Sequence, residues 1–266
     1  MKACIGLTLP PMMPSQSLAA MVIVIGAIVA SPAMAGSLSL SQLAAQANQR
    51  TQGEFGTTAL PSRTPFETEK WQGLLAAIQQ DRGTFEACLE AEDACPSPRM
   101  VKWREMMRTA AGLSEMERLR VVNRFFNAWT YRSDLEGYGE TDYWATPAQF
   151  VANSGDCEDY AIAKLFSLSL LGLREESLRI VVVYDRRRAL SHAVVSYRAN
   201  GRAYILDSLF DAVIPDSEIT QYRAVYSMNF SEGWIHVPQG RQGGRATAAR
   251  ASRESQFALL NTQIGE

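Results

Sequence analysis

Histidine is nearly absent from this chain: His192 and His236 are the two in 266 residues. Any chemistry that passes a proton through an imidazole must use one of them. Charge of one sign is also lacking. Twenty-six Lys and Arg face 28 Asp and Glu, for a net charge of −2. No basic stripe with interleaved aromatics is present, which removes the usual footprint of a nucleic-acid binder. Long apolar runs are missing beyond the first 35 residues, so no later segment reads as membrane-spanning. Cysteine is scarce, at four residues.

What is there begins with an address. Lys2 gives a minimal positive start, and Leu18 to Ala30 is apolar. Ala33-Met34-Ala35 then fits the small-x-small rule for cleavage. Residues 1–35 therefore read as a signal peptide, with an uncleaved anchor as the alternative. Their removal leaves 231 residues at a net charge of −3, enough for one domain with a sizeable core. The expected location is periplasmic.

Residues 36–65 are polar and read as a flexible lead-in, with one short helix near Ser39 to Arg50. The domain proper is expected over 66–238 and a tail over 239–266. Trp71, Leu74, Leu75 and Ile78 recur at helical spacing. Pro96 and Pro98 break that pattern, and a second helix runs from Arg99 to Ala111, stopped by Gly112. Ser114 to Glu117 is a capping box before the Leu119, Val122, Phe125, Phe126 and Trp129 face. Tyr131 to Thr146 reads as irregular. A buried helix follows from about Asp156 to Leu171, apolar on most sides. Strands follow at Leu178–Tyr184, Ser191–Arg198, Arg202–Asp207 and near Ala224 to Phe230, the middle pair joined by an Asn200-Gly201 hairpin signal. Helices first and an antiparallel sheet afterwards make an α+β fold. Arg186-Arg187-Arg188 sits between two strands, as a solvated tip or as a contact for an acidic partner.

The chemistry concentrates at Gly155-Asp156-Cys157-Glu158-Asp159-Tyr160. Cys4 departs with the signal, and Cys88 and Cys95, seven apart, suit a local disulfide in an oxidising compartment. Cys157 is then the odd cysteine. At a helix N-terminus it meets unpaired N–H groups and the positive end of the dipole, which favour thiolate. His192, on a strand, is the candidate base. Asp207, ending the next strand, is the candidate orienter, with Asp211 as fallback. His236 reads as structural. Asp156, Glu158 and Asp159 would oppose a thiolate by like charge. Either a hard cation such as calcium offsets them, or they cap the helix and face water.

Taken together these residues resemble the bacterial transglutaminase-like cysteine proteinases, which include the LapG-type periplasmic proteases. The blocks that carry it are Asp142 to Pro147, Gly155 to Lys164, Leu178-Arg179, Ser191 to Val194, Tyr204 to Asp207 and Tyr226 to Asn229. The chain departs from the family pattern at Ala193, where Met is usual, and at Ser208, where Asn is usual. The resemblance implies a papain/transglutaminase-like core and a Cys157–His192–Asp207 triad in a cysteine endopeptidase. It also implies calcium held by acids beside the cysteine, carried over to Asp156 and Glu158 and less directly to Asp159. Trp144 is a candidate for the cleft or oxyanion site. The implied substrate is a cell-surface, adhesin-like protein, and the implied partner an inner-membrane receptor that senses cyclic di-GMP. Two rival activities share the fold: transglutaminase-type acyl transfer and a non-catalytic binding module.

Overall fold

A computed structural model describes residues 52–63 and 68–239. The expected signal peptide, the helix near Ser39 to Arg50 and residues 240–266 of the tail lie outside the described residues. No helix among the described residues is long and apolar enough to cross a membrane.

Among the described residues, six α-helices precede most of the sheet. Helix α1 (Glu69–Glu90) starts where Thr68 accepts the Trp71 N–H, and it buries Trp71, Leu74, Ile78 and Phe85. A Cys88–Cys95 disulfide closes the turn after it. Helix α2 (Pro98–Ala111) is capped by the Ser97 side chain, which takes the Met100 N–H. Pro98, expected to be a breaker, instead occupies the first turn. Its missing N–H is unused there and its fixed φ already suits a helix. Helix α3 (Glu115–Asn127) opens with the expected box, Ser114 N–H donating to Glu117 Oε2 at 3.0 Å. The stretch read as irregular holds a one-turn helix α4 (Asp134–Gly137). Helix α5 (Pro147–Asn153) follows, capped by Thr146. Helix α6 (Cys157–Leu170) is buried at every position from Cys157 to Leu168. That matches an apolar pattern without a solvent face.

The sheet has seven strands in the order β1-β7-β6-β2-β3-β4-β5. They are β1 (Thr57–Pro61), β2 (Leu178–Asp185), β3 (Leu190–Ala199), β4 (Arg202–Asp207), β5 (Phe210–Pro215), β6 (Tyr222–Met228) and β7 (Gly233–Pro238), and every pairing is antiparallel. Asn200 and Gly201 turn the β3–β4 hairpin at φ 52° and 73°, the paired positive values a twist-compatible two-residue turn needs. Helix α6 and its neighbours cover one face of the sheet. On the other, Val181, Val183, Val194, Ile205, Ile219, Tyr222 and Ala224 form a second, smaller core. Burial on both faces explains why β2 reads as one apolar run rather than an alternation.

Part of the expected lead-in belongs to the sheet. Strand β1 pairs along β7, from Thr57 opposite Pro238 to Pro61 opposite Trp234. What fastens it is polar, and hydrophobic patterning does not detect it. Glu54 is fully buried, with Oε1 2.8 Å from Arg198 Nη2 on β3 and 3.1 Å from Ser196 Oγ. Arg179 on β2 lies 4.0 Å from the other oxygen. Burial opposes the charge of Glu54, but Arg198 and Arg179 outweigh it and keep its pKa below the usual range.

Candidate active site

The nucleophile candidate sits where α5 gives way to α6. Ser154 turns the chain at φ 64°, ψ −170°, a region that glycine alone enters without strain. Gly155 has no room for a side chain, since a Cβ would lie 2.0 Å from Asp159 Oδ2. That crowding is the mark of a capping box. Asp159 reaches back to the Asp156 N–H at 3.2 Å while Asp156 caps the helix. Cys157 is therefore the first residue of α6, as the sequence suggests, and it is 1% exposed. The Ala193 N–H points at its Sγ from 3.3 Å, so the sulfur lies against the peptide that follows His192. Cys157 is itself disulfide-bonded. Nucleophilic chemistry at this sulfur therefore requires its reduced form.

The base and acid candidates meet directly. Val195 lies opposite Leu206 across β3 and β4. The next position along β4 puts Asp207 on the face shared by Val194 and His192. His192 Nε2 lies 2.7 Å from Asp207 Oδ1, with both side chains 1% exposed or less. Asp207 Oδ1 also accepts the Leu209 N–H at 2.9 Å, and Oδ2 accepts the Tyr222 hydroxyl at 2.7 Å. Burial alone would raise the Asp207 pKa, but His192, Tyr222 and the Leu209 amide together bring it down to about 2. The acid is thus ionised throughout the working range. It fixes Nε2 as the nitrogen facing the carboxylate and leaves Nδ1 as the other ring nitrogen. The fallback acid, Asp211, does not take this place. Its carboxylate accepts from Asn127 Nδ2 at 3.1 Å on the exposed side of the turn.

Behind the cysteine lies an acid cluster wider than the sequence suggested. Asp134, Asp156 and Asp159 present ligand atoms within 4.8 Å of one another, as do Asp134, Asp142 and Glu158. Asp134 and Asp142 are the unforeseen members. Asp134 Oδ1, Asp156 Oδ1 and Glu158 Oε1 are buried without a hydrogen-bond partner. Asp142 Oδ1 is paired with the Lys70 ammonium, which also donates to the Asp142 carbonyl at 2.6 Å. Asp159 uses both oxygens on backbone, taking the Ala145 N–H at 2.7 Å besides that of Asp156. Burial, then the neighbouring carboxylates, raise the pKa of Asp156 to about 7 and push those of Glu158 and Asp159 well above the usual range. Glu158 Oε2 is 3.1 Å from Cys157 Sγ. Orphaned buried oxygens from three carboxylates are the donor set of a hard cation, and calcium fits it.

The remaining expected residues have clear places. Trp144 packs edge-on against Trp71 at 5.8 Å, with Lys70 above its ring at 5.0 Å. Trp144, Glu158 and Ala193 line one small cavity beside α6. His236 is bound between Thr57 Oγ1 at 2.7 Å and Ser227 Oγ at 2.8 Å, and burial lowers its pKa to about 4. It belongs to the β1–β7–β6 edge and not to the site. The Arg186–Arg188 turn is held by Asp185, which accepts the Arg187 N–H at 2.9 Å and Arg188 Nε at 2.6 Å.

The profile of the bacterial transglutaminase-like cysteine proteinases (BTLCP) matches residues 76–242. Among solved structures, Legionella pneumophila LapG is similar at 26% identity, over 62% of this chain and 86% of that one, with a TM-score of 0.47. Its EGTA-treated form is similar at 27% identity, over 62% and 84%, with a TM-score of 0.48. The calcium-bound form is similar at 26% identity, over 65% and 92%, with a TM-score of 0.49. None of the curated proteins compared with the chain matches it.

Proposed function

Because the chain belongs to the bacterial transglutaminase-like cysteine proteinases and is a cysteine protease of that type, we propose that Cys157, His192 and Asp207 are its catalytic residues and that calcium supports them. The observation that carries this reading is the buried 2.7 Å contact between His192 Nε2 and Asp207 Oδ1, one residue from the Ala193 N–H that meets Cys157 Sγ. In the reduced protein His192 takes the Cys157 proton. The resulting imidazolium is stabilised by the ionised Asp207, and the thiolate by the N-terminus of α6 and the Ala193 N–H. The thiolate adds to a scissile carbonyl and forms a thioester as the amine leaves with the proton from His192. Water, deprotonated by the same imidazole, then hydrolyses the thioester.

The acids are the obstacle, because ionised Glu158 would lie against the thiolate. Asp134, Asp156 and Glu158 would hold calcium through their orphaned oxygens, with Asp142 and Asp159 at the margin. When bound, the ion supplies the positive charge that lets these carboxylates ionise beside the sulfur. The same reading takes the protein as exported, a surface adhesin as substrate, and a cyclic di-GMP-sensing inner-membrane receptor as the partner that withholds it.

The test is alkylation of the reduced protein by iodoacetamide at neutral pH, together with release of surface protein from cells. Fast modification that disappears in Cys157→Ser, and release that disappears in Cys157→Ala, are expected. A thiol no faster than free cysteine, or full release by Cys157→Ala, would overturn the catalytic assignment. Activity unchanged by a calcium chelator would remove the cation from it.

A further inference from the structure

Asp207 is 0% exposed, so no solvent is at hand to hold a carboxylate oxygen that protein leaves alone. Its two oxygens are treated differently. Oδ1 receives His192 Nε2 and the Leu209 N–H, at 2.7 and 2.9 Å. Oδ2 receives the Tyr222 hydroxyl at 2.7 Å. The terminal torsion of an aspartate is broad, so a carboxylate fixed at one oxygen can still twist. Tyr222 opens β6, is 4% exposed, and comes from a strand that carries none of the catalytic candidates. Its ring lies edge-on to Phe55 at 5.7 Å and tilted over the His192 imidazole at 5.8 Å. It therefore touches both members of the pair, one by hydrogen bond and one by ring contact.

We propose that Tyr222 is a positioning residue of the reaction: its hydroxyl holds Oδ2 of Asp207 so that Oδ1 stays on His192 Nε2. This rests on the catalytic reading of Cys157, His192 and Asp207. The phenol can act only as a donor here, because its partner is an anion. Burial and the adjacent Asp207 raise its pKa far above the ordinary value, so the proton stays on the tyrosine. A buried hydrogen bond to a charged group is among the stronger ones a protein makes, and its loss leaves an unsatisfied anionic oxygen.

Tyr222→Phe removes the hydroxyl and keeps the ring, so the smaller core and the contact with Phe55 survive. Two readouts are taken on the reduced full chain: the second-order rate of iodoacetamide alkylation at neutral pH, and the low-field proton resonance of His192 Nε2–H, assigned by its loss in His192→Gln. Tyr222→Phe is expected to slow alkylation about tenfold and to move or broaden the resonance. Phe55→Leu, which disturbs the ring's packing and spares the hydroxyl, is expected to change neither. In an Asp207→Asn background Tyr222→Phe is expected to cost nothing further, since its effect passes through that carboxylate. Wild-type alkylation rate and resonance in Tyr222→Phe, while Asp207→Asn is slow, would overturn the role of Tyr222 alone. An equal loss in both backgrounds would reduce it to a general structural residue and overturn it too. If the wild type is no faster than a free thiol and His192→Gln does not slow it, the catalytic reading itself fails and takes this role with it.

Discussion

Replacing Asp156 by asparagine should stabilise the protein without calcium and weaken its response to calcium. Asp156 has a folded-state pKa of about 7, raised first by burial and then by Asp159 and Asp134. An unfolded aspartate titrates near 3.9. Here the folded pKa is the higher one, so the folded state binds the extra proton between those values. Stability therefore falls as pH rises from about 4 to about 7, and the full penalty stands above that window. Three units at 1.36 kcal/mol each give a penalty of up to about 4 kcal/mol, shared with Glu158 because the two carboxylates titrate together. Asparagine keeps an oxygen for the helix cap and carries no charge, so the cap survives the change. In chelator at pH 8, Asp156→Asn should unfold at higher urea than wild type, and at pH 4 the difference should vanish. Calcium at a hundredfold excess over its dissociation constant should add about 2.7 kcal/mol to the wild type and much less to the variant. Urea unfolding at two pH values, with and without calcium, reads all four quantities. A variant less stable than wild type in chelator at pH 8, or one with an undiminished gain from calcium, would refute both the repulsion and the ligand assignment.

Other consequences are independent of the metal. Glu54→Ala removes the carboxylate that pairs with the half-buried Arg198 and the buried Arg179 and should cost about 3–5 kcal/mol in chemical denaturation, whereas a loss under 1 kcal/mol would mean that water or the more distant Asp216 and Glu232 already serve those arginines. Ser154→Gly relieves the φ 64° strain ahead of α6 and should raise stability by about 1 kcal/mol; a drop in the melting temperature would show the serine to be held by something stronger than the strain. Lys164 Nζ, 1% exposed, donates to Asn123 Oδ1 at 2.8 Å and Asn127 Oδ1 at 2.7 Å. Lys164→Met orphans the buried amide oxygen of Asn123 and the half-buried one of Asn127 and should cost about 2–4 kcal/mol. Asn127 also holds the Asp207 carbonyl at 2.9 Å, so slower alkylation of Cys157 should accompany the loss. Unchanged stability would mean that the two asparagines find other donors.

What the sequence disclosed, and what it withheld, divides by the range of the force involved. The N-terminus of α6 was legible because its signals are local: a glycine that cannot carry a Cβ, an acid that caps, a second acid three residues on that reaches back, and an unbroken apolar run behind them. The His192–Asp207 pair was legible for a related reason. The Asn200-Gly201 turn fixes the β3–β4 register, and register then decides which side chains share a face. Asp134 and Asp142 gave no such signal. They lie in a stretch without periodicity, and they reach the cluster only because the Arg132 N–H finds the Gly155 carbonyl at 2.9 Å and the Tyr143 N–H finds Asp134 Oδ2 at 2.7 Å. Tyr222 was hidden for the same cause, since a hydroxyl on β6 becomes part of the site only once the β2–β6 pairing exists. Strand β1 was missed because its anchor is ionic. Glu54 and the two arginines lie far apart in sequence, and a buried charge among polar residues looks, before folding, like a solvated loop. A sequence pattern reports burial by apolar contact. The groups that it overlooked here are held by hydrogen bonds and charge across long separations, and those forces also set the surroundings of Cys157.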